Sequence, residues 1–324
     1  MMVREDLAVP RAEFASYYGR PILKHPVWEW KIAAYLFAGG LSAGSAMLAA
    51  GADVTGRQAL RRWSRLGALG SIAASMYFLV ADLGRPERFH HMLRVAKPSS
   101  PMSVGTWILT AYGPGAGLAG AAELMPGWLQ RTWLGRLIRW LARPAGIWAA
   151  GTAPGVASYT AVLLSHTAVP AWHEAHPYLP FVFTGSAAAS GGGWGMVFAP
   201  VHESGPARRM AVAGAGLEVA SSRLMEHRLG LSAEAYTTGK AHRLRQLSEV
   251  LTVGGALGAA AGRGRAVLAV SGLALLAGSA LQRFGVFEAG VESTRDPKYV
   301  VMPQRERLNA GRPARGDIRT ARLG

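Results

Sequence analysis

The sequence predicts an all-α polytopic membrane protein, eight transmembrane helices packed in one bundle. Three observations carry that expectation. Half of the residues are hydrophobic and only 17% are charged. Glycine (41 residues) and tryptophan (10) are abundant, which suits closely packed membrane helices with interfacial anchors. Long apolar runs alternate with short basic or turn-forming segments. The complete absence of cysteine excludes disulfides, thiolate catalysis and protein-held Cys-zinc or iron–sulfur sites. The formal net charge of +16 sits between the apolar runs and in the tail. There, retention at the membrane and contact with anionic lipid explain it better than nucleic acid does.

Taken in order, residues 1–27 form a proline-punctuated N-terminal arm with no apolar core of signal-peptide length, so the first span is expected to act as its own insertion signal. The membrane domain is expected over 28–285 and a polar C-terminal tail over 286–324. Span one, about 28–52, opens at Trp28 and Trp30 and is long enough to cross ~30 Å of hydrocarbon. Its Gly39, Gly40, Ser42 and Gly44 offer a small-residue packing face. A basic loop leads to span two, which ends at Ala81.

Span three covers about 102–124. It is interrupted by Gly113-Pro114-Gly115, whose freed backbone must be met by protein or water. The amphipathic run 126–143 is expected to lie in the interface. Spans four (145–169) and five (178–199) form a hairpin. Span six (207–226), a polar loop (228–245) and spans seven (246–261) and eight (266–282) complete the count. Eight spans place both termini on one face, and the Lys and Arg distribution favours a cytoplasmic position for it.

Between spans two and three lies a polar hinge, Asp82 to Trp107, reading DLGRPERFHHMLRVAKPSSPMSVGTW. Polar groups kept this close to lipid mark sites. The runs DLGRP, RF at Arg88-Phe89, MLRV at 92–95 and SPMSVGTW at 100–107 resemble the NrfD/polysulfide-reductase membrane-subunit family, over about residues 28–303. The resemblance implies an integral subunit, at home in the bacterial inner membrane, that exchanges electrons between a membrane quinone (menaquinone or ubiquinone) and a peripheral iron–sulfur protein. The expected partners are a four-cluster ferredoxin-like subunit and a molybdenum- or tungsten-dependent catalytic subunit. The protein is then one subunit of an oxidoreductase, not active alone.

A quinone site needs an apolar slot, hydrogen-bonding groups at the ring oxygens and a proton route to water. Polar residues toward the terminal face are the candidates: Glu29 and Tyr35 on span one, Asp82 and Arg85 at the hinge, Tyr159 and His166 on span four. The resemblance implies that a polar residue of span one and a tyrosine of span four bracket the headgroup, which falls on Tyr35 and Tyr159. The familiar pattern has His where this sequence has Tyr35, and Asn where it has Ile32.

Plainer readings stand beside these. Tyr35 fits an aromatic belt, and Asp82 with Arg85 fits a cap and ion pair that fixes the hinge. Only His166 among the histidines lies inside a span, so no haem is expected, and no metal. Glu123, Glu218, Arg223 and Glu249 fall in or near spans. They make a proton or ion conduit the rival function, with a Glu218–Arg223 pair as either path or glue. A non-catalytic membrane anchor is the third.

Overall fold

A computed structural model describes residues 22–310, so the N-terminal arm before 22 and the tail after 310 lie outside the described residues. Eight long helices run antiparallel in chain order: α1 (Trp30–Val54), α2 (Gln58–Ala81), α3 (Pro101–Leu124), α4 (Trp133–Ser165), α5 (Leu179–Phe198), α6 (Gly205–Arg228), α7 (Gly239–Ala261) and α8 (Arg265–Arg295). A shorter helix, α9 (Lys298–Asn309), follows. Four of them, α1, α2, α4 and α8, are long and apolar enough to cross a membrane by length and composition. The others fall short for readable reasons. Helix α5 is rich in glycine, alanine and serine, and α6 and α7 carry charges such as Arg209, Arg223, Arg243 and Glu249.

Helix α1 is the axis of the bundle and buries nearly its whole length against α2, α4, α5 and α8. Small residues make this possible. A Cβ on Gly44 would strike the backbone of Ala187, and one on Gly191 would strike the backbone of Gly44, so α1 and α5 touch main chain to main chain. Ser42 Oγ donates to Ala68 O of α2 at 2.8 Å and pairs with Tyr112 Oη of α3 at 2.6 Å, which sets three helices against one another.

At the end of the bundle remote from residues 22 and 310, ions do the same work. Arg65 Nη1 reaches Glu123 at 3.0 Å, Arg61 Nη1 reaches Asp53 at 3.3 Å, and Arg143 Nε reaches Asp53 at 3.2 Å, linking α1, α2, α3 and α4. Asp53 and Arg65 are largely buried, and breaking such a cluster by removing one partner leaves an uncompensated charge. At the other end, His25 Nδ1 and Thr294 Oγ1 are 2.7 Å apart, which brings both ends of the described chain to one face.

The helices depart from the expected boundaries in three places. The amphipathic run does not lie apart from span four. After a single turn at Gly127–Gln130, α4 runs unbroken from Trp133 through Pro144 and Pro154 to Ser165, with Thr132 Oγ1 accepting from Gly135 N at its start. Helix α7 begins at Gly239, so its first two turns use residues expected in a polar loop. Helix α8 continues to Arg295, past the expected limit at 285, because Val286, Phe287, Ala289 and Gly290 pack under Trp172 and supply it with a buried face.

Pro114 does not interrupt α3. Trp148 Nε1 of α4 donates to Ala111 O at 2.7 Å in the turn before it, which ties α4 to α3 at this point.

The α1–α5 contact makes a paired prediction. Gly51 on α1 has open space where a Cβ would stand, so Gly51→Ala should stabilise the helix by roughly 0.5–1 kcal/mol. Gly44→Ala forces two backbones apart and should cost about 1–3 kcal/mol. Thermal unfolding of the two variants in one detergent should shift in opposite directions.

Candidate functional site

Near the face that carries both described ends of the protein, α1, α3, α4 and the loop after α2 enclose a cavity of about 260 Å³. Its wall is mostly apolar (Ile32, Leu79, Met92, Met102, Leu109, Leu163), and its polar members are Tyr35, Asp82, Thr106 and Tyr159. The hydroxyls of Tyr35 and Tyr159 are hydrogen-bonded to each other, and both rings are buried. In such a pair one hydroxyl donates and the accepting one keeps its own proton for a third partner. Tyr35 is held from behind, since Ser75 Oγ of α2 donates to Tyr35 O at 3.2 Å.

The sequence motif after the hinge accounts for the other side. Ser100 caps α3, accepting from Ser103 N at 3.5 Å. Ser103 Oγ donates to Val95 O at 2.9 Å and accepts from Lys97 N at 3.0 Å, which folds the loop back onto the helix. Gly105 is where α3 meets the Tyr159 ring, and a Cβ there would fall inside it. Glycine at this position therefore sets where Tyr159 stands. The hinge itself is a turn of 3₁₀ helix, Pro86–Leu93, that contributes Met92 to the wall.

Asp82 closes α2 and reaches the rim of the cavity. Its Oδ1 accepts from Glu29 N at 3.3 Å, a bond from the segment just before α1. Partial burial pushes its carboxyl above the ordinary aspartate value, against the pull of the Glu29 N–H and of Lys31. Trp28 lines the cavity too and stacks on Trp172 with ring centroids 5.9 Å apart.

Of the six residues expected at a site, the structure thus brings together Tyr35, Tyr159 and Asp82. The Glu29 side chain turns away to pair with Lys31 at 2.8 Å, and only its backbone serves Asp82. Arg85 is exposed and forms no ion pair with Asp82. His166 is exposed at the C-cap of α4 and is not part of the wall. Trp28, Thr106 and Gly105 were missed. The only signal for Gly105 was its place in SPMSVGTW, where spacing alone does not say which neighbour it admits.

A larger hollow, about 540 Å³, lies on the outer side of α3 and α4. Its wall offers few polar groups, and two of them, Ser103 and Thr152, already bond to backbone carbonyls. The smaller cavity is the one with converging polar groups.

If the two hydroxyls are coupled as described, Tyr35→Phe and Tyr159→Phe should not be additive. A double-mutant cycle on unfolding in detergent should return a coupling of about 0.5–1.5 kcal/mol. Strict additivity would mean that the hydroxyls do not meet.

Comparison with known proteins places the protein in a family. The family described as "Polysulphide reductase, NrfD" matches residues 22–204, which take in α1 to α5 and the whole wall of the cavity. The C subunit of the polysulfide reductase of Wolinella succinogenes is 32% identical over 180 residues, a stretch that covers 51% of the present protein and 56% of that relative. The match therefore spans little more than half of that relative's length. With more than half of its residues matched, the protein belongs to the NrfD/polysulphide reductase family of membrane proteins.

Proposed function

We propose that this protein is the quinone-reactive membrane subunit of a multisubunit oxidoreductase of the bacterial inner membrane, with all eight long helices crossing the bilayer. It passes electrons between the pool of menaquinone or ubiquinone and a peripheral four-cluster, ferredoxin-like iron–sulfur subunit. That subunit serves a molybdenum- or tungsten-dependent catalytic partner. The observation that carries this reading is the cavity in which Tyr35, Tyr159 and Asp82 converge at one end of the bundle.

The residues suit the substrate. A volume of about 260 Å³ suits a ring headgroup more than a whole prenylated molecule, and its apolar wall excludes competing water. The free proton of the tyrosine pair is the donor for one ring oxygen, with Tyr159 as the direct contact and Tyr35 orienting it. Asp82 at the rim, tied to the exposed segment before α1, is placed to exchange a proton with water. The bound ring supplies the redox chemistry. The reading gives this subunit neither haem nor metal, and a sequence without cysteine leaves iron–sulfur clusters to its partner.

Two variants of the purified complex test this. Tyr159→Phe keeps the ring and removes one hydroxyl, so it should lower kcat/KM for quinol by roughly 2- to 10-fold while the complex assembles normally. Unchanged turnover and affinity in a stable complex would rule the cavity out.

Asp82 gives a pH signature. As acceptor it must be ionised, so quinol oxidation should fall as pH drops through its carboxyl pKa. Because burial raises that pKa, the loss should begin above the ~3.9 of a free aspartate. Asp82→Asn should abolish that acid limb and lower turnover at neutral pH. An acid limb that survives the substitution belongs to another group.

A further inference from the structure

Outside the residues matched by the family, α6, α7 and α8 enclose a second polar space. A slot of about 150 Å³ runs inward from the terminal face and shares no residue with the tyrosine cavity. His242 and the ion pair of Arg245 with Glu226 stand toward its mouth, and the pair of Arg223 with Glu249 lies along its outer side. Glu218 lies deeper. It is a little over two turns below Glu226 on the same helix, about 12 Å along the axis.

The charges do not all find partners. Arg223 is taken by Glu249 and Arg245 by Glu226, which leaves Glu218, 2% exposed, and Arg283 of α8, 1% exposed. Arg283 stands near Glu218, but its Nη2 donates to Phe183 O of α5 at 2.7 Å and its guanidinium lies 3.6 Å from the centre of the Phe183 ring. Glu218 Oε2, Arg283 Nη1, Thr252 Oγ1 and Arg245 Nε have no hydrogen-bond partner.

A buried charge left half-satisfied is costly. Here the carboxylate keeps an unpartnered oxygen and lines a space large enough for water. Between it and the mouth, Gln282 Nε2 donates to Ser222 Oγ at 3.1 Å, and Ser248 Oγ lies 3.4 Å from Gln282 Oε1. The sequence-level pairing of Glu218 with Arg223 is replaced by this arrangement.

We propose that Glu218 is a proton-exchange site inside the bundle, reached from water at the terminal face through the slot between α6, α7 and α8. One proton binds a carboxylate oxygen and leaves by the same route, and the fixed cation of Arg283 offsets the ionised form. No oxidant or reductant takes part. The charged or titratable groups around it are Arg223 and Glu226 on α6, His242, Arg245 and Glu249 on α7, and Arg283 on α8. From α5 it is met by the main chain at Gly185 and by the hydroxyl of Ser186.

The test uses the full-length protein in lipid nanodiscs, followed by infrared difference spectroscopy as pH is changed, and needs no quinone. The wild type should show a protonated-carboxyl stretch that grows on acidification, shifts on transfer to heavy water and is absent from Glu218→Gln. Ser222→Leu blocks the slot one turn above Glu218 while leaving the carboxyl group in the sequence, and should slow the isotope shift by an order of magnitude. Identical difference spectra for wild type and Glu218→Gln, or a Glu218 band that does not exchange with heavy water, would overturn the proposal. If Glu218→Gln does not fold, isotope-labelled glutamate in the wild type and in Ser222→Leu carries the test, and equal exchange in the two overturns it.

Discussion

The contact between α1 and α5 at Gly44 and Gly191 is the constraint from which the rest of the arrangement follows. Neither position can hold a side chain, because the Ala187 backbone stands where a Cβ on Gly44 would lie and the Gly44 backbone where one on Gly191 would lie. In a lipid environment, where apolar surfaces gain little by meeting one another, such close approach is a main source of helix association. It fixes α1 at the centre of the bundle. With α1 fixed, Ser42 can reach both Ala68 O and Tyr112, and Ser75 can hold the backbone of Tyr35. Tyr35 then stands where Tyr159, admitted by Gly105, can meet it.

The two ends of the bundle treat charge differently. At the end remote from residues 22 and 310, Asp53 and Glu123 are ion-paired with Arg61, Arg65 and Arg143, which makes a clamp across four helices. Toward the terminal face polar groups instead line cavities: the tyrosine pair with its spare hydroxyl proton, the partly buried Asp82, and Glu218 deeper down. A packed protein tolerates such groups where the surrounding structure holds them, and they are the ones able to exchange protons or bind a polar ring.

Much of this was legible in the sequence alone. The apolar runs located the helices, the small residues of α1 announced a packing face, and the charged hinge with SPMSVGTW pointed to the end of the bundle where the cavity lies. Tyr35, Tyr159 and Asp82 stand out because each is polar and near the same face. Glu29, Arg85 and His166 met the same criterion but do not line the cavity. Seven residues apart, Tyr159 and His166 would share a face only while the helix lasts, and α4 ends at Ser165. Glu29 had a nearer cation in Lys31. The run 126–143 read as separate from span four, yet α4 continues from one into the other through Pro144. The role of Gly105 and the isolation of Glu218 from Arg223 depend on contacts between helices distant in sequence, which no local pattern encodes.

The central claim is that the small cavity, and not the larger hollow on α3 and α4 or the slot of α6 to α8, receives the quinone ring. A photoreactive quinone analogue, cross-linked in native membranes and located by peptide mass spectrometry, tests it directly. Labelling, assigned residue by residue, should fall on Trp28, Ile32 and Tyr35, on Met102, Gly105, Thr106 and Leu109, and on Tyr159 and Leu163, and excess natural quinone should suppress it. Suppressible labelling confined to peptides of α6, α7 or α8, or to the outer face of α3 at Trp107 and Ala111, would contradict the account.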